Sequence, residues 1–212
     1  MQRPSPNPVP SPVPDSCALL LKQLDPRLLA AGNDLSELSF SPIEVCFRGL
    51  EWLDEGTLQD LREQDGQHLA IRQALEGSLT GEVLWLLKEP DARRLVRILT
   101  GTPPGREPLS YSEREALTEV GNLLLLGLVE GLSDVLGMTV AATAPALRLG
   151  SAARLLPDEG SGGLAMSCEA KTGGKPLPGH VVLILSSLSS VYFDRHLRIL
   201  ADREGANARG AH

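Results

Sequence analysis

Glu119, Asn122 and Pro145 are the residues of this chain whose types and spacing could do chemistry. They read Glu119-x2-Asn122-x22-Pro145, and the first two lie three residues apart, on one face of a predicted helix. A carboxylate and a carboxamide on a rigid scaffold can dock a partner and hold a water. Hydrolysis of a reactive phosphoryl group asks for little more than that positioning. From helix geometry alone, a solvated face that happens to include an amide is the competing reading.

The helix that must carry them is predicted to begin near Ser110 to Ser112 and to end at Gly137. Ser112 followed by Glu115 reads as a capping box. At 100° per residue, Leu117, Val120, Leu124, Leu128, Gly131 and Val135 gather on one side, which should face a sheet. Gly121, Gly127 and Gly131 lie on or beside that side. Each costs about 1 kcal/mol against alanine in a helix interior, so close packing against another backbone is expected. Glu115, Glu119, Asn122, Leu126, Val129 and Ser133 form the opposite line, a polar pair beside an apolar strip.

Around this helix the chain reads as α+β. A proline-rich stretch, residues 1–16, is expected to be an extended, disordered arm. Residues 17–38 are weakly helical, and Asp25-Pro26 should break them into two short helices. Strands are expected at 43–47, near 68–71, at 81–87, 146–149, 164–168 and 179–185. Short helices should cover 91–99 and 191–200, and residues 204–212 read as a flexible tail. Residues 17–203 are taken as one domain of two pseudo-repeats, 17–101 and 102–203. Leu79-Thr80-Gly81 through Leu87 matches Leu177-Pro178-Gly179 through Leu185, and each is followed by a helix ending in Arg-Ile-Leu. Upstream, Ser41-Pro42-Ile43 is set against Ala144-Pro145-Ala146. A period near 100 residues is too long for a solenoid and fits a duplicated, pseudo-two-fold domain.

Composition narrows the function classes. The 212 residues carry a formal net charge of -7, which argues against nucleic acid as a partner. Cys17, Cys46 and Cys168 are odd in number and form no Cys-x-x-Cys pair, so free thiols in a reducing, cytoplasmic setting are expected. No stretch reads as a membrane span. His68, His180, His196 and His212 show no metal-ligand spacing. Neither Gly160-Ser161-Gly162-Gly163 nor Gly173-Gly174-Lys175 makes a phosphate loop.

The motif resembles that of the CheC/CheX/FliY family of chemotaxis phosphatases, Asp/Ser-x3-Glu-x2-Asn-x22-Pro. Here it reads Glu115-x3-Glu119-x2-Asn122-x22-Pro145. The Gly-led strands and the duplicated layout resemble CheC over roughly residues 40–200. The resemblance implies a CheC-like fold of mostly antiparallel sheet against long helices. It also implies a phosphatase of the aspartyl phosphate of a response-regulator receiver domain. Asn122 would orient the attacking water, and Glu119 would pair with a lysine of the receiver. Glu115 stands where the family has Asp or Ser, as an auxiliary carboxylate or a helix-end charge. The Mg²⁺ would belong to the receiver, with no cofactor on this chain. The first half lacks the motif, so one working site is expected. The competing expectation is an adaptor that binds a phosphorylated receiver, a CheD-type deamidase or a flagellar switch partner without hydrolysis.

Overall fold

A computed structural model describes residues 14–38, 44–101, 108–158, 162–171 and 176–210. The elements run α1 (Pro14–Leu38), β1 (Glu44–Trp52), α2 (Glu55–Arg62), β2 (Gln67–Gly77), β3 (Gly81–Lys88) and α3 (Glu89–Thr100). They continue with α4 (Tyr111–Leu136), β4 (Val140–Ala142), β5 (Ala146–Ser151), α5 (Ala152–Leu155), β6 (Gly163–Lys171), β7 (Leu177–Leu185) and α6 (Ser187–Gly210).

The strands form one seven-stranded antiparallel sheet in the order β1-β6-β7-β3-β2-β4, with β5 also paired to β2. At its centre Leu84 of β3 faces Val182 of β7, and Gly81 and Gly179 lie at opposite ends of that pair of strands. Each half has the same order: long helix, strand region, short helix, two strands, helix. Strand alternation sends Leu69, Ile71, Trp85, Val181 and Leu183 into the main core, under α1, α3, α4 and α6. Ala70, Leu84, Leu86 and Val182 face the other way and are covered by Leu58 and Leu61 of α2 and Leu155 of α5. The core of β3 is thus buried on both faces, as an unbroken apolar run should be.

Several sequence expectations are corrected. Pro26 does not break α1, which is continuous over 25 residues. Pro26 lies on the exposed side, where water can take the carbonyl bond it leaves open. Interior proline costs about 3 kcal/mol. Burial of Leu20, Leu24, Leu28 and Leu35, each worth about 1.5–3 kcal/mol, outweighs it. The capping box of α4 is Ser110 with Glu113, not Ser112 with Glu115. Glu113 takes the Ser110 N–H and hydroxyl, both at 2.7 Å, and those bonds hold its carboxyl below the usual range. β1 runs on to Trp52, β4 and the short helices α2 and α5 lie where loops were expected, and α6 starts at Ser187 and continues through Gly210. Ser41-Pro42-Ile43 and the second glycine-rich loop lie outside the described residues. By length and composition alone α4 could cross a membrane. Its apolar residues are instead packed against α1 and the sheet, with half of that window buried. All three cysteines are free. Cys168 is buried, accepts from Trp85 Nε1 at 3.1 Å, and has its thiol pushed up to about 12 by burial.

The glycines of α4 do mark close packing, but against side chains and not against another backbone. A Cβ on Gly127 would lie 2.7 Å from Ala31 Cβ, and one on Gly131 would lie 2.8 Å from Leu24 Cδ2. As α4 advances, its partner residues on α1 recede, so the two helices are antiparallel. Gly→Ala inside a helix normally gains about 1 kcal/mol. Gly127→Ala should forfeit that gain here, for a net destabilisation of up to about 2 kcal/mol, because overpacking costs roughly 1–3. Adding Ala31→Gly removes the overlap, so thermal melts of the single and double variants should show recovery.

The second face also holds His68 and His180. His68 is 1% exposed, its Nδ1 meets Gly66 O at 3.3 Å, and its Nε2 has no partner among the described residues. Burial holds both imidazoles below the usual histidine range, helped at each by Lys88 and at His180 by His68. Below about pH 6.5 the unfolded chain binds more protons than the folded one, so stability falls as pH falls there. His68→Gln should flatten that fall. The Tm difference between pH 7.5 and pH 5.5 will be smaller in the variant than in the parent.

Candidate functional site

Glu119 is exposed on α4 and Asn122, one turn on, is half-buried. The two side chains leave the helix on the same side. The exposed line continues to Leu126 and stops there, because Val129 is 1% exposed beneath the packing of α1. Ser133 turns its hydroxyl back to Val129 O at 3.0 Å. The apolar strip expected beyond the polar pair is therefore Leu126 alone. Glu115 is exposed and takes a hydrogen bond from the Tyr111 hydroxyl, which holds that phenol above its usual range. Leu109, Tyr111, Arg114, Glu115, Glu119 and Leu147 line an open depression of about 800 Å³ beside this turn.

Pro145 sits where the outer edge of the sheet is interrupted. Leu75 pairs with Ala142 and Arg72 with Ala146. Between those pairs β2 spends Gln73 and Ala74, while the facing chain spends Thr143, Ala144 and Pro145. The extra residue is a bulge, and proline has no N–H to offer a ladder there. Thr143 satisfies Ala74 instead: its N–H donates to Ala74 O at 2.9 Å, and its hydroxyl accepts from Ala74 N at 3.0 Å.

The bulge and the helix are joined by Gln73. Its Nε2 donates to Asn122 Oδ1 at 2.9 Å and to Thr143 O at 2.9 Å. Gln73 thereby ties Asn122 to the segment that ends at Pro145. Sequence reasoning missed Gln73. The available signal was one amide in an alternating apolar row, Leu69, Ile71, Gln73, Leu75.

The sequence matches no family model, and no curated protein matches it. Solved structures do match. FliY of Thermotoga maritima superposes with a TM-score of 0.69 at 13% identity, covering 90% of this chain and 98% of that one. The fold is that of FliY. The FliM middle domain of H. pylori shares it, at a TM-score of 0.63 and 14% identity over 87% of this chain and 99% of that one. In this FliY-like fold, Glu119 and Asn122 ride on a core helix and Pro145 on the sheet edge beside it. Among the described residues no group of three or more His, Cys, Asp or Glu could hold a metal ion.

Proposed function

We propose that this chain hydrolyses the aspartyl phosphate of a response-regulator receiver domain. The observation that carries the reading is the Asn122 carboxamide, fixed at the protein surface one turn from the exposed carboxylate of Glu119. Glu119 docks a lysine of the receiver, and Asn122 holds a water in line with phosphorus. The water oxygen bonds to phosphorus, the bond to the aspartate oxygen breaks, and the carboxylate leaves with its electron pair. The water's protons pass to the phosphate and to solvent. The receiver brings its own Mg²⁺. An acyl phosphate is already labile, so positioning one water can supply the needed acceleration.

A second reading is an adaptor. It is favoured by the likeness to FliM, which in H. pylori has been solved in complex with FliG and with SpeE. A panel of receiver domains phosphorylated in Mg²⁺ separates the two. Faster phosphate release from one of them supports the phosphatase. Binding of a phosphorylated receiver with no change in its phosphate lifetime supports the adaptor.

A further inference from the structure

Gln73 is 3% exposed and stands in a row of leucine and isoleucine on the core face of β2. A polar group buried in that setting costs free energy unless it is hydrogen-bonded. Its two acceptors fix which way round it lies. Thr143 O is a backbone carbonyl and can only accept. Gln73 must therefore turn its NH₂ toward the bulge, and the same NH₂ reaches Asn122. Asn122 must in turn offer Oδ1. Its own NH₂ is thereby aimed away from Gln73 and has no partner among the described residues. Turning either amide over would set oxygen against oxygen or NH₂ against NH₂.

From this geometry we infer that Gln73 is a positioning residue for Asn122, relaying the fixed polarity of the Thr143 carbonyl so that Asn122 Nδ2 faces the docked phosphoryl group. The inference rests on the phosphatase reading for its purpose, but not for its geometry. A water that accepts from Nδ2–H with one lone pair keeps the other for phosphorus. An amide turned over would grip the water through its proton instead and leave its lone pairs unaimed.

Two observations speak against a merely structural glutamine. Gln73 Oε1 is buried with no partner among the described residues, a cost that a methionine or leucine would not carry. The chain also contains its own comparison. β1 breaks register between Arg48, paired with Ser167 of β6, and Leu50, paired with Met166, which is 1% exposed. The buried residue beside the break is apolar in β6, which pairs with β1, and an amide in β2, where it reaches Asn122.

Gln73→Met in the full chain is the test. The Asn122 side-chain NH₂ signals in ¹H–¹⁵N spectra, assigned by their loss in Asn122→Ala, should shift and broaden. Release of phosphate from a phosphorylated receiver should fall at least tenfold in kcat with KM unchanged. The Tm should hold or rise. Asn122→Ala and the double variant should release phosphate at the same rate. Unmoved NH₂ signals overturn the inference, and so do moved signals with an unchanged kcat. A fall in kcat that tracks a fall in Tm, repeated by Gln73→Leu, overturns it in favour of a structural role. If no receiver loses phosphate faster with the parent protein, the phosphatase reading fails, while the NH₂ signals still decide whether Gln73 orients Asn122.

Discussion

Asn122→Ala is expected to slow phosphate release from the cognate receiver about a hundredfold, or roughly 2.7 kcal/mol of barrier, with KM nearly unchanged. On the proposed reading the carboxamide touches only the reacting water on the receiver's side, while its oxygen stays bonded to Gln73, so its loss is expected to fall on kcat. Folding should barely register it. Asn122 is half-buried, and its removal leaves Gln73 still bonded to Thr143 O. One neutral hydrogen bond is worth about 1 kcal/mol net. Glu119→Ala should do the opposite, raising KM for the phosphorylated receiver about tenfold and sparing kcat, since an exposed carboxylate that docks a lysine is shared by ground and transition states. Steady-state phosphate release over a range of receiver concentrations reads both. An Asn122→Ala variant as fast as its parent would remove the amide from the mechanism.

The largest expected loss of stability follows a single methyl group. Gly163 opens β6 at φ +151°, pairs with Ile184, and accepts from Leu53 N at 3.0 Å. A Cβ there would overlap the Leu183 carbonyl oxygen. That carbonyl belongs to β7, in the middle of the sheet, and cannot retreat. Backbone strain of about 1–3 kcal/mol adds to overpacking of similar size, so Gly163→Ala should cost about 3 kcal/mol or more. For a chain of this length that lowers the Tm by roughly 6–12 °C. Gly66→Ala is the control: φ is +94°, but a Cβ there meets nothing within 4 Å, so only the backbone strain applies. Equal Tm losses in the two variants would show that the overlap at Gly163 is relieved for free.

The helix that carries the motif was legible because its signals are local. Apolar spacing, packing glycines and a terminal Gly137 fixed its extent, and three-residue spacing put Glu119 and Asn122 on one side. What surrounds it was not. Two leucines, Leu58 and Leu61, are too few to declare α2 by periodicity, and α5 is only four residues long. Pro26 obeyed tertiary burial over local preference. Val129 lay on the polar line by angle alone, and only the packing of α1 takes it out of solvent. Gln73 was the hardest to foresee. Its role depends on how β2 registers with residues 143–145, some 70 positions away in the chain, and on a carbonyl direction that no residue type encodes.

The interruption at Thr143–Pro145 also shapes an exposed border of the sheet. It cuts the outer border of the sheet into stretches of three and six residues, β4 and β5, with a proline between them. A long, straight border invites a strand from another molecule to add to it and is a seed for fibres. Here the break leaves that border as two short stretches in place of one long one.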